Sequence, residues 1–308
     1  MPSRERGRTP AGFRTQLLQR LRNEALRTGI PAQRFQQCVA FERLLARLPR
    51  DGNWILKGGF ALQFRYGLRT RPTRDVDLRT SLDPATALGL LRQALATAAA
   101  LDNFSFELGE VAQEMQGAPG GSLRVRVTTR VAGLEFTVFH IDLSSGDALV
   151  EPPDLLRGSD LLQFAGIPPI EFPVYPVSQH LAEKLHAYTL PRSHENTRVR
   201  DLVDLILIAA TERVEADRLA RSVTATFSIR GTHSIPEQFP APPDSWSQPF
   251  RAIATEIANL SIADLQDGYA LAVQFWEPFL ANRTPHQIWL PEQRRWSPIP
   301  HECDSLTS

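Results

Sequence analysis

The segment Trp54-Ile55-Leu56-Lys57-Gly58-Gly59 constrains this chain more than any other. A short apolar run of strand type ends at paired glycines, and a helical pattern through Ala61, Leu62, Phe64 and Tyr66 starts at once. After an Arg-rich loop, Asp75-Val76-Asp77-Leu78-Arg79 alternates in the manner of a second strand. Residues two apart in a strand point to the same face. Asp75 and Asp77 therefore stand side by side, while Val76 and Leu78 pack inward. A strand that turns directly into a helix, followed by a strand with two carboxylates on one face, commits this part of the chain to a mixed α/β layer.

The surroundings extend that reading. Residues 13–28 and 33–48 carry helical apolar stripes, the first ended by Gly29 and Pro31. An Ala- and Leu-rich helix is predicted over 84–100, then strands over 104–111, 123–131 and 134–143, the last two joined by a turn at Ala132-Gly133. The character changes after Pro152-Pro153. Helices are predicted over 178–190, 198–211, 215–227, 250–260 and 264–281, with a loop at 231–249 and an extended, Pro-rich end from Pro285. The order gives an α+β fold: residues 1–150 form a mixed β-sheet core with N-terminal helices, and 151–308 a mainly α-helical C-terminal lobe.

No run approaches the ~20 apolar residues that span a bilayer, and the basic N-terminus lacks the apolar run of a secretory signal. Cys38 and Cys303 are far apart, with no CxxC, so neither a disulfide framework nor a zinc site is expected. The expectation is a soluble cytoplasmic protein without a membrane partner. The net charge of zero conceals an asymmetry: residues 1–80 hold 17 Lys or Arg against 6 Asp or Glu, a surplus of +11. Such a front half suits a polyanion, although a solvated Arg-rich helical surface would give the same count. Of the 34 basic residues only Lys57 and Lys184 are lysines, which hints at sites that want a compact ammonium.

Five constellations carry candidate chemistry. Lys57, Gly58 and Gly59 sit where a strand becomes a helix, so the backbone can approach a phosphate at the helix's free N–H groups; alone, they read equally as a tight turn. Asp75 and Asp77 are costly neighbours unless a cation lies between them, and Mg²⁺ (or Mn²⁺) suits such a pair; the plain alternative is two surface aspartates. Asp142, in Phe139-His140-Ile141-Asp142-Leu143, is a third carboxylate that could join them and take a proton, or could instead cap the following turn. Lys184, in a helix, could neutralise phosphate charge or simply pair with a buried carboxylate. Asp201 and Asp204 share a helix face by their spacing of three; they could orient Lys184, contact substrate, or favour the helix dipole.

Together, LKGGFALQFRYGLRTRPTRDVDL, EKLHAY and RVRDLVDL resemble the AbiEii/AbiGii toxin-like nucleotidyltransferases, a group that includes the MenT-type toxins of type IV toxin–antitoxin systems. The resemblance runs in order over roughly residues 35–215. It implies a nucleotidyltransferase-like core, with Gly58 and Gly59 in the nucleotide-binding turn and Asp75 and Asp77 as the metal pair. Lys184 takes the place of the helical lysine and Asp201 that of the downstream aspartate. The wider superfamily often has Ser or Thr after the glycines, where a hydroxyl meets a phosphate; here that position is Phe60.

The reaction so implied is metal-dependent transfer of NMP from an NTP to an acceptor hydroxyl with release of pyrophosphate. Lys184, with Arg71 and Arg74, would offset charge on the leaving group. MenT-type relatives add nucleotides to the 3′ end of tRNA, and a toxin implies a cognate antitoxin encoded nearby. Rival readings are transfer to a small molecule or a protein hydroxyl, and an inactive interaction module of the same fold.

Overall fold

Pro10–Thr28 forms the first helix (α1): the Thr9 side chain caps it by accepting from Gly12 N–H at 3.2 Å, Pro10 stands at its first position, and Gly29 closes it with φ 74°. Its stripe of Phe13, Leu17 and Leu21 is buried. The structure, a computed structural model, describes residues 9–49, 53–68, 70–97, 102–113, 119–193, 196–258, 260–262 and 264–299. Cys303 and positions 98–100 of the helix expected over 84–100 lie outside the described residues.

The chain divides into two compact units, Met1–Asp147 with Pro153–Tyr175 and Ala148–Pro152 with Pro176–Ser308. The first continues with α2 (Ala32–Leu45), β1 (Ile55–Lys57), α3 (Gly58–Tyr66), β2 (Asp75–Thr80), α4 (Pro84–Thr97), β3 (Phe104–Gln113), β4 (Ser122–Val131) and β5 (Leu134–Ser145). Two short strands, β6 (Asp154–Arg157) and β7 (Glu171–Val174), complete it. All seven strands form one mixed sheet in the order β3-β4-β5-β2-β1-β7-β6. Ala132 (φ 53°) and Gly133 (φ 79°) make the two-residue hairpin between β4 and β5, the left-handed pair that the strand twist favours.

Alternation along β2 and β5 decides which face is the core. Val76, Leu78, Phe139, Ile141 and Leu143 are buried on one side, and Phe41 of α2 packs there with its ring 4.6 Å from Phe139 and 4.7 Å from Phe60. The other side carries Asp75, Asp77, His140 and Asp142.

The second unit is built on α5 (Val177–Thr189), α6 (Val199–Thr211), α7 (Ala216–Arg230), α8 (Ser247–Ala254) and α9 (Leu265–Leu280). Every residue of α6 from Asp201 to Ala209 is buried, which makes it the axis of this unit. The helix expected over 250–260 is α8, which begins earlier, inside the expected loop, and ends at Ala254.

Two features depart from the sequence reading. Residues 153–175 return to the first unit, because β7 pairs in parallel with β1 and carries β6 beside it. The segment from Pro285 is a paired hairpin, β9 (Gln287–Leu290) and β10 (Arg295–Pro298), joined to β8 (Val214–Glu215) in a three-stranded sheet. Trp289 Nε1 donates to Ala209 O at 2.7 Å and Trp296 Nε1 to Phe275 O at 2.8 Å, so two tryptophans pin that hairpin to the helices. No helix among the described residues is long and apolar enough to cross a membrane.

Candidate active site

Strand register, rather than sequence proximity, assembles the first group. In β2 and β5, which run parallel, Asp77 stands opposite Asp142 and Asp75 opposite His140. Antiparallel pairing sets Lys57 of β1 opposite Asp77, and Arg124 of β4 opposite Asp142. One row across four strands therefore reads Lys57, Asp77, Asp142, Arg124, two carboxylates between two cations. Arg124 turns toward the carboxylates: its Nη2 lies 2.7 Å from Asp75 Oδ1 and its Nε 3.4 Å from Asp142 Oδ1. His140 Nδ1 lies 3.6 Å from the same Asp75 oxygen.

Burial acts on Asp142. It pushes the carboxyl up to about 7, aided by the negative charges of Asp77 and Asp75 and opposed by Arg124 and Lys57. Oδ1 of Asp142 is buried and accepts no hydrogen bond among the described residues. The Lys57 ammonium pairs with the buried Asp147 carboxylate, to which Ser144 Oγ also donates at 2.8 Å.

The glycines define the floor. Gly58 has φ 66°, and a β-carbon there would lie 2.0 Å from Asp77 Oδ2. At Gly59 a β-carbon would lie 3.0 Å from Thr73 Oγ1 and 3.2 Å from Arg71 Nη2. Arg71 is thus beside the start of α3, largely buried, whereas Arg74 is exposed. Phe60 points the opposite way, fully buried against Phe41 and Phe64, so a hydroxyl at that position would not face the turn.

In the second unit Lys184 of α5 is clasped by two carboxylates of α6, Asp201 Oδ1 at 2.9 Å and Asp204 Oδ2 at 2.6 Å. The spacing of three residues aims both at one ammonium. Asp204 is fully buried, and Arg198 Nη1 approaches Asp201 Oδ2 at 3.7 Å. His186, two residues along, turns away to Thr232 Oγ1 at 2.8 Å.

The donor chemistry of the first group suits a hard divalent cation: carboxylate oxygens on one face, one of them buried without a hydrogen bond. Among the described residues no three His, Cys, Asp or Glu side chains are grouped so as to hold a metal ion. An ion here would rest on one or two carboxylates and complete its shell with other oxygens, which is the habit of Mg²⁺. A cavity of about 910 Å³ in the same unit is lined by Phe35, Cys38, Phe60, Phe64 and Phe164, on the apolar side of the sheet and away from this group.

The sequence reading omits Arg124, Asp147 and Thr73. Alternation in Leu123-Arg124-Val125-Arg126-Val127 places Arg124 on the polar face, but only the β4–β5 register brings it to Asp142. Asp147 follows Gly146, whose φ of 77° marks the turn that returns it toward Lys57.

A Gly-Gly turn from strand to helix, with carboxylates on the neighbouring parallel strands, is the arrangement of a nucleotidyltransferase. Residues 40–272 match the family described as nucleotidyl transferase AbiEii toxin, type IV TA system, and the chain belongs to this family of nucleotidyltransferase toxins. Among solved structures, it is similar to MenT4, a nucleotidyltransferase toxin from Mycobacterium tuberculosis, at 20% identity over 90% of this chain and 99% of that one, with TM-score 0.53. JHP933 from Helicobacter pylori is 19% identical over 80% of this chain and 93% of that one, with TM-score 0.46. No curated protein matches in sequence.

Proposed function

We propose that this toxin transfers NMP from a nucleoside triphosphate to the hydroxyl of an RNA, at the 3′ end of tRNA, in a reaction that depends on Mg²⁺ or Mn²⁺. The observation that carries the reading is the alignment of Asp75 and Asp77 on β2 with Asp142 opposite on β5. Asp75 and Asp77 would hold the divalent cation, whose charge would offset that of the triphosphate. The Gly58-Gly59 turn offers the free N–H groups of α3 to phosphate oxygens, with Arg71 and Arg74 nearby in the chain. Asp142, titrating near neutrality, accepts the proton of the acceptor hydroxyl. The hydroxyl oxygen forms a bond to the α-phosphorus while the bond to the bridging oxygen breaks, and pyrophosphate leaves with that electron pair. Lys57, held by Asp147, contributes positive potential at the row's end.

For Lys184, Asp201 and Asp204, family membership supports a role of the lysine toward the triphosphate, with the aspartates fixing its position. The excess of +11 charges in residues 1–80 favours a polyanionic acceptor over a cationic small molecule. A cognate antitoxin follows from the family. Purified protein incubated with Mg²⁺, each α-labelled NTP in turn and total tRNA tests the reading, with Asp77→Ala as control. Label in tRNA that the variant abolishes is the expected result. Metal-dependent triphosphate binding without tRNA labelling would point to another acceptor, whereas the absence of both labelling and triphosphate binding would overturn the proposed reaction.

A further inference from the structure

Arg124 occupies a position with two claims on it. Its Nη2 sits 2.7 Å from Asp75 Oδ1 on β2 and its Nε 3.4 Å from Asp142 Oδ1 on β5, so one guanidinium bridges carboxylates of two strands. The other cation of the row, Lys57, has its ammonium on Asp147. Carboxylates this close need a positive charge among them, and the structure supplies a tethered monovalent one. A metal ion that used Asp75 would meet a like charge and a ligand oxygen already engaged. About a third of the Arg124 side chain is exposed (31%), and its stem is long enough for the guanidinium to swing aside. A planar fork released from carboxylates is well matched to a phosphate.

We propose that Arg124 is a resident counter-ion that exchanges carboxylate for phosphate, so that the site takes up a divalent cation together with a triphosphate and resists the bare ion. Before substrate binds, it neutralises Asp75 and Asp142. When a metal–triphosphate complex arrives, the cation takes over the carboxylates and the guanidinium moves to the polyphosphate; charge is then balanced at both places. A bare cation offers Arg124 no anion to move to, and so must displace it into solvent against Coulomb repulsion. The inference rests on the reading of Asp75 and Asp77 as the metal pair.

The test is binding, not turnover. Mn²⁺ affinity of the full chain is measured by electron paramagnetic resonance, alone and with α,β-non-cleavable NTPs in turn, for the wild type, Arg124→Gln, Arg124→Lys and Asp77→Asn. Arg124→Gln is expected to bind bare Mn²⁺ about tenfold tighter, and the gain in Mn²⁺ affinity on adding triphosphate is expected to shrink at least tenfold. Arg124→Lys, which keeps the charge, should stay near the wild type for bare Mn²⁺; this second variant also guards against a folding defect. An unchanged or weaker bare-ion affinity in Arg124→Gln, with Asp77→Asn abolishing binding, overturns the exchange while the metal pair stands. No Mn²⁺ binding by any form, with or without triphosphate, overturns both.

Discussion

The carboxylate of Asp77 lies directly against the Cα of Gly58: a β-carbon there would come within 2.0 Å of Oδ2 and 2.5 Å of Cγ. Gly58 also has φ 66°, in the left-handed region that costs other residues about 1 kcal/mol. Two demands thus meet at one position, one for backbone conformation and one for space beside a candidate metal ligand. Gly58→Ala is expected to lower stability by about 2 kcal/mol or more and to cut nucleotidyl transfer at least 100-fold, because Asp77 must move. Gly59→Ala would bring a β-carbon no closer than 3.0 Å to Thr73 and 3.2 Å to Arg71, at a position without a left-handed φ, and should cost less in both respects. Melting temperatures and rates of the two variants check this; a fully active Gly58→Ala would refute the tight fit.

Lys184 answers two aspartates at once, and Asp204 is fully buried. Lys184→Met leaves two buried carboxylates without their cation and is expected to destabilise the protein by roughly 3 kcal/mol. Stability alone would not separate a structural lysine from one that acts on substrate. The triple variant Lys184→Met, Asp201→Asn, Asp204→Asn removes the stranded charges and should recover much of the stability while staying inactive. Recovery of activity along with stability would show that the lysine only braces α5 against α6.

How far the sequence reaches depends on the range of the interactions involved. Helices α1, α5 and α6 and strands β2, β4 and β5 carry their own periodicity, and α1 its caps as well, so their positions are legible in the chain. Strands β6, β7, β9 and β10 have four residues each and β8 has two, too short to show a period of their own; they exist through their pairing, which includes the long-range contacts of β7 with β1 and of β8 with β9. That is why residues 153–175 and the end of the chain read as something else. The same division applies at the site. Asp75 and Asp77 share a face by the pleat of a single strand, whereas Arg124 reaches them through a register of β4 on β5 that no local pattern reveals.

Phe60 is turned into the core, and a hydroxyl beside the turn comes instead from Thr73, whose Oγ1 would lie 3.0 Å from a β-carbon on Gly59. Its bond to Asp75 O is long, 3.3 Å, so it is held only weakly. On the proposed reading, Thr73 would supply the hydroxyl that the wider superfamily places after the glycines. Thr73→Val keeps shape and loses the hydroxyl; the expected outcome is a three- to tenfold rise in KM for the triphosphate, about 1 kcal/mol, with little change in melting temperature. An unaltered KM would leave phosphate binding to the backbone alone.

His186 gives the second unit a pH dependence of its own. The ring is buried against Phe227 and His233, with centroids 4.9 and 4.6 Å away, and Nδ1 makes no hydrogen bond among the described residues. Burial, then the positive charges of Arg230 and His233, lower its pKa to about 4. In the unfolded chain it titrates near 6.5. The unfolded state thus takes up a proton that the folded state refuses, so stability is full above about pH 6.5, falls as pH drops toward 4, and levels below that, a change on the order of 3 kcal/mol. His186→Gln cannot titrate, and its urea-unfolding free energy should lose less between pH 7 and 4 than that of the wild type. Parallel curves for the two proteins over this range would mean that the ring is protonated in the fold and that burial does not control it.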